Sequence, residues 1–214
     1  MKTIKYIATL IAVLIGMSGF AQSLFEGEII LTTSNKDLNE TAQISWLIKG
    51  NQHKMVFNTV TKGEAYTYTL IFSTTDINAT MLSEVKGQKA QYSIPLSAVA
   101  NPALAMYYKI VQTDQTDNIA GFTTTQYVIE SPGSTTICKA ADVPNLRPMD
   151  FPMMLRVGGV MKAFSDKGYT AIPLSISTLD SKTGEVKFTQ NIVSITPRSI
   201  GANEFVIGAE WKKM

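Results

Sequence analysis

One histidine, His53, and one cysteine, Cys138, set a ceiling on the chemistry this chain's side chains can perform. One of each cannot complete an ordinary zinc site, so no metal is expected. His53 follows the turn residues Gly50-Asn51 with no serine or carboxylate motif beside it, and it reads as a solvent-exposed turn residue rather than a general base. Cys138 ends the β-like run Thr135-Thr136-Ile137-Cys138, where a buried and inert thiol is the expectation; a lone cysteine also permits no internal disulfide. The chain has no G-x-S-x-G elbow, no H-E-x-x-H, no P-loop and no Cys-x-x-Cys, and no Asp/Glu spacing singles out a carboxylate dyad. No catalytic residue and no cofactor are therefore expected, and the chain reads as a non-enzyme.

Methionine is the biased residue type with a physical message. Met149, Met153, Met154 and Met161 crowd into residues 149–161, in a chain with 10 methionines. The thioether chain is unbranched and polarizable, so it re-packs around apolar partners of different shape. Two uses fit: ordinary core packing against a sheet, or an adaptable lining for a lipid-like ligand. The candidate ligand-contacting set is Met153, Val157, Met161 and Phe164, with the aromatic side chains Tyr68 and Phe72 opposite them.

The elements that would position these residues follow from periodicity. Ile44, Trp46 and Ile48 alternate with Gln43, Ser45 and Lys49; Tyr66, Tyr68, Leu70 and Phe72 alternate with Thr67, Thr69 and Ser73. Tyr92, Ile94 and Leu96 repeat the pattern, as do Tyr127 with Ile129 and Ile172, Leu174 with Ile176. Period two with aromatic and β-branched residues means half-buried strands. Gly50-Asn51, Gly87, Pro132-Gly133 and Lys182-Thr183-Gly184 supply the turns of an antiparallel meander. Val186 and Phe188 are apolar on even positions but Val193 and Ile195 on odd ones, which predicts a bulge near Gln190-Asn191.

Two stretches break the β pattern. Leu96 to Tyr107 is alanine-rich and interrupted by Pro102, a short helix or an irregular loop. Asp150 to Lys167 has a capping Asp150, Pro152 in the first turn, an exit at Gly168 and an apolar stripe of Met153, Val157, Val160, Met161 and Phe164. Gly158-Gly159 weakens that helix by roughly 1 kcal/mol per glycine relative to alanine. The expected fold is mainly β (α+β): a single curved antiparallel sheet, or half-barrel, with this helix packed on its concave face.

Residues 1–21 predict where the protein works. Lys2 and Lys5 precede an apolar run from Ile7 to Ile15, and Gly19 and Ala21 occupy the −3 and −1 positions of a cleavage site before Gln22. That is the order of a secretory signal peptide, and the run is short of the roughly 20 residues a membrane span needs. The domain reading is therefore a leader, 1–21, and one curved-sheet domain, 22–214. Lys2 and Lys5 leave with the leader, so the remaining basic residues match the 17 acidic ones. A neutral chain has no electrostatic attraction to nucleic acid or an anionic membrane.

Three stretches resemble an uncharacterised family of exported Gram-negative envelope proteins, domain-of-unknown-function family 4412. Ile119-Ala120-Gly121-Phe122 with Thr125-Gln126-Tyr127 resembles the family's I-A-G-Y-K-C-x-x-Y block, with Thr123 and Thr124 in place of Lys-Cys. Ala171-Ile172-Pro173-Leu174 is similar to its G-x-P-L strand opening, and Phe205 to Lys213 to its closing F-x-I-P-x-G-Y-K, with Gly208 in place of Pro. The resemblance implies a curved half-barrel similar to periplasmic lipoprotein carriers, and it implies no catalytic residues.

The functional expectation is an exported, non-catalytic envelope protein, periplasmic or extracellular, that binds an apolar ligand or a lipidated partner, not nucleic acid. It is not an integral membrane protein once the leader is removed. The alternative is an interaction domain with a solid core and no ligand. A small outer-membrane barrel is disfavoured because most alternating runs fall short of the 9–11 residues such strands need. Expressed with its leader in a Gram-negative host, the exported protein should begin at Gln22 by intact mass and N-terminal peptide analysis; a mass retaining residues 1–21 would contradict the leader.

Overall fold

Alternating runs become strands, and tight turns join most of them. The computed structural model describes residues 25–73, 75–85, 87–96, 109–147 and 157–214. The expected leader with its Ala21–Gln22 cleavage point, the start of the expected helix with Met153, and most of the alanine-rich stretch lie outside them.

In chain order the elements are β1 (Glu26–Asn35), β2 (Glu40–Lys49), β3 (Gln52–Thr61), β4 (Glu64–Ser73), β5 (Asn78–Val85) and β6 (Gln88–Pro95), then β7 (Lys109–Ile119), β8 (Phe122–Ser131) and β9 (Ser134–Ala141). Helix α1 (Val157–Asp166), β10 (Ile172–Asp180), β11 (Val186–Pro197), a 3-10 turn (Ala202–Phe205) and β12 (Lys212–Lys213) complete them. All twelve strands form one open, curved sheet in the order β12-β6-β5-β4-β3-β2-β1-β11-β10-β9-β8-β7. The pairs are antiparallel except for the two-residue parallel pair β12–β6, which corrects the expectation of a wholly antiparallel sheet.

Curvature is demanded by chain length. Leu96, just past β6, and Lys109, opening β7, stand at opposite edges of the sheet. They also stand at opposite ends of the strands, since Pro95 pairs with Asn78 at one end while Lys109 pairs with Glu130 at the other. Ten inter-strand steps of about 4.8 Å make a flat sheet roughly 48 Å wide. The chain from Leu96 to Lys109 reaches at most about 45 Å fully extended, and it must also descend a strand's length. A flat sheet is out of its reach, so the edges must approach one another.

Alternation then gives the curved sheet two unlike faces. Ile29, Trp46, Met55 and Leu70 are register partners across β1 to β4, all buried on the concave side, as is Cys138 beside Ile176 on β9 and β10. Their neighbours Gln43, Asn58 and Thr67 share the opposite, convex side. Most strands span 8–12 residues, longer than the sequence patterns indicated and long enough for a membrane barrel. What separates this sheet from one is its polarity: the apolar side faces inward and the outward side is largely polar, the reverse of a lipid-facing barrel. No helix among the described residues is long and apolar enough to cross a membrane.

The phase break in β11 resolves as a bulge, two residues beyond the expected Gln190-Asn191. Ser194 pairs with Ile30 and Ile192 with Leu31, leaving Val193 unpaired and 55 % exposed. The extra residue lets Phe188, Ile192 and Ile195 share the concave side. A second irregularity at Lys187 shifts β11 against β10.

The stretch after β11 crosses the convex face as a strap. The backbone N–H of Ile200 donates to Glu26 Oε1 (2.6 Å), Lys49 Nζ donates to the Ile200 carbonyl (2.5 Å), and Lys54 pairs with Glu204 (3.0 Å). Fully buried Ile200 anchors it, and Leu47 is buried on that same convex side. The Ile200 N–H and the nearby Lys49 ammonium hold the Glu26 carboxyl below its ordinary range.

Deleting Val193 closes the bulge without turning any residue over, because Ser194 and Ile192 already pair with Ile30 and Leu31, so the protein should still fold and lose only the local twist, about 1–3 kcal/mol in its urea melt. Val193→Thr, at an exposed unpaired position, should stay within about 0.5 kcal/mol of the parent. Chemical melts of both check the assignment.

Candidate functional site

The concave face is the only large apolar surface the fold organises among the described residues, and two aromatic groups furnish it. On the β2–β4 side, the Trp46 indole N–H donates to His53 Nδ1 at 3.1 Å. The imidazole stacks on Phe72 with centroids 4.9 Å apart and planes within 4°, and lies 5.7 Å from the Trp46 ring. Phe57 and Tyr68 stack next to them at 4.5 Å. Burial and then the charge of Glu40 raise the Tyr68 hydroxyl's pKa above its ordinary value.

The second group sits across the sheet. Phe164 of α1 packs against Tyr127 of β8 at 4.8 Å and Tyr169 at 5.4 Å, and Tyr127 meets Tyr169 edge-on at 5.1 Å. Gly168, at φ +75°, turns the chain out of α1, and the Tyr169 N–H returns to the Phe164 carbonyl at 2.9 Å. That glycine-terminated closure fixes Tyr169 beside the ring it must meet. Beneath lies Cys138, register partner of Tyr127, fully buried. Burial pushes its thiol far above the ordinary range, so it stays protonated and inert.

The structure distributes the six candidate residues as follows. Met161 and Phe164 are buried, in the same hydrophobic core as Phe72, with Tyr68 packed against that core. Tyr68 and Phe72 lie on β4 and stack with Phe57 and His53. Val157 opens the described part of α1, and Met153 lies outside the described residues. The helix expected over 150–167 as a roof is represented by ten residues that meet the sheet at β8 and β10, one arm rather than its whole width.

His53 overturns its sequence reading. It is 1 % exposed, in the core rather than on a turn. The signal was present, since His53 shares odd parity with Met55 and Phe57 and so faces the same side. Proximity to Gly50-Asn51 hid it. Tyr169 carried no signal, because nothing local says that a residue just past a helix end folds back onto its last turn. Among the described residues, no three His, Cys, Asp or Glu side chains gather as a metal site would require.

No protein-family model matches the chain, and no curated protein matches it. Solved structures do. An uncharacterized conserved protein from Thermus thermophilus superposes with a TM-score of 0.53 at 9% identity, over 90% of this chain and 91% of that one, which shows a shared fold. MucB in complex with MucA(peri) is similar at a TM-score of 0.46 and 11% identity; 87% of this chain is covered, but the chain spans only 55% of that one's length. A LolA superfamily protein from Nitrosomonas europaea is similar at a TM-score of 0.38 and 11% identity, over 88% and 92% of the two chains.

Phe164→Ala removes the ring that ties α1 to β8, and it should cost about 3–5 kcal/mol in urea melts, the range for truncating a buried phenylalanine. A loss below about 1 kcal/mol would mean that α1 contributes little to the core.

Proposed function

We propose that this is an exported, non-catalytic envelope protein that binds an apolar, lipid-like chain, free or attached to a partner protein, on the concave face beside α1. The observation that carries the reading is a gradient of burial along that face. At its centre Ile29, Trp46 and Met55 are fully buried by the protein's own side chains. Towards the two edges, concave-facing Met81 and Ile94 on one arm and Ile110 on the other are only partly covered. An oily floor left partly open between two arms suits a long apolar ligand, since burying each methylene contributes about 0.8 kcal/mol. Gly158 and Gly159 in α1 favour movement of the cover.

The leader sequence supports export to the periplasm or beyond, and the family 4412 resemblance supports an envelope role. The thin inventory of chemistry-bearing groups supports a binding function over catalysis. The near-neutral charge of the chain after the leader argues against nucleic acid. The filled centre favours a second reading, an interaction domain with a solid core and no ligand.

One experiment separates the two. Native mass spectrometry of protein purified from an envelope fraction should show a population heavier than the chain by the mass of a lipid, and the neutral fluorophore N-phenyl-1-naphthylamine should brighten on adding the protein and be displaced by palmitate or palmitoyl glycerol. Bare protein that leaves the fluorophore dark would sink the ligand reading and leave the interaction domain.

A further inference from the structure

A cleft of ≈660 Å³ lies at the β6 edge, lined by Gly87, Gln88, Lys89, Ala90, Tyr92, Glu210, Lys212 and Met214. Its size falls in the range of small-ligand sites. One wall is the edge strand itself. Tyr92 is the register partner of Met81, which in turn faces Leu70, so the residue that lines the cleft also belongs to the concave apolar face. The cleft is therefore the place where the oily floor comes round the sheet edge into water.

Its other wall is built by the strap, and each wall brings one amine to the cleft, Lys89 from β6 and Lys212 from β12. β12 pairs with β6 through Lys212–Ala90 and Lys213–Gln91, and the Met214 N–H donates to the Gln91 carbonyl at 3.1 Å. Lys89 sits 5.5 Å from the Trp211 ring centroid and 3.8 Å from Glu210, a separation too long for a tight ion pair. No ion pair among the described residues involves Lys212, which is exposed. Glu210 offsets one of the two lining amines, and Lys213 stands next to the second on β12.

We infer that this cleft holds the anionic head group (carboxylate, phosphate or sulfate) of an amphiphile whose chain lies along the concave face of β5 and β6, an inference that rests on the ligand reading above. Amines at the water end and Tyr92, Met81 and Ile94 at the oily end match the two halves of such a molecule in order. Ligand selection then depends on charge at the edge and on length along the floor.

The test compares palmitate, uncharged palmitoyl glycerol and inorganic phosphate, each by displacement of N-phenyl-1-naphthylamine or competition with it, in the parent and in Lys89→Gln/Lys212→Gln. Palmitate should bind the parent about fivefold more tightly than palmitoyl glycerol, and the double variant should lose that preference while binding palmitoyl glycerol unchanged. Raising the salt concentration should erode the preference in the parent. Lys212→Gln alone, at an exposed position that folding does not need, should remove part of it. Equal affinities in the parent, or a preference that survives the double variant, overturns the head-group site and leaves the carrier reading standing. Equal loss of both amphiphiles in the variant overturns it too, by making the cleft a chain site. Phosphate competing as strongly as palmitate points to a soluble anion and overturns the amphiphile. Failure of both amphiphiles to bind the parent is a failure of the carrier reading itself.

Discussion

Everything in this fold follows from removing one apolar sheet face from water. Alternation gives nearly every strand a greasy side, and pairing in register sums those sides into one continuous surface, from Met81 on one arm through Leu70, Met55, Trp46 and Ile29 to Cys138 on the other. Each fully buried side chain on it contributes about 1.5–3 kcal/mol, so exposing the face is not an option for the folded state. Curling turns the surface on itself, and the short tether between the two edges enforces the curl. The bulges at Val193 and Lys187 give β11, at the sheet's middle, the extra twist that bending requires.

The convex side solves the complementary problem of edges and shape. A long open sheet offers unpaired backbone to other chains at both borders. At the β6 border the strap runs across the back of the sheet and adds β12, whose two lysines also place charge where a foreign strand would dock. At the β7 border the strand carries exposed Asp114 and Asp117, and its pairing with β8 is broken between Gln112 and Thr116. The strap's ion pairs, Arg198 with Glu28 and Glu204 with Lys54, are partly exposed and individually weak. Its hold comes from Ile200, buried against the back of β1 and β2 with Leu47.

Legibility divided along the same line. Elements whose partners are neighbours in sequence were readable: the hairpins, the apolar parity of each strand, and the helix exit at Gly168, where a positive φ requires glycine. The phase conflict in β11 announced a bulge but placed it two residues early, because parity says that a residue is extra without saying which one the partner strand skips. Non-local placement was not readable. Nothing near Ile119 indicates that β7 lies at the far edge from β6, and nothing in the weakly patterned stretch after Pro197 indicates a strap on the convex side. For the candidate site, parity puts Tyr68 and Phe72 on one strand face and helical spacing groups Met161 with Phe164, but nothing local says that the two sets dress different arms of one floor. It missed His53 because composition argued turn while parity argued core, and burial obeys parity.

His53 also shows how a residue with chemical reach can be absorbed by structure. Accepting from Trp46 fixes its Nδ1 as the unprotonated nitrogen, and the stack against Phe72 locks the ring plane. A slip of one residue between β2 and β3 would carry Trp46 and His53 to opposite faces, breaking the hydrogen bond and turning one ring outward. The pair thus specifies register in the most deeply buried part of the sheet, where an apolar pair of similar volume would fit several alignments. Cys138 serves the other arm in the same way, as small apolar filling under Tyr127. Both side chains are thereby committed to packing inside the concave core, one in each arm of the sheet.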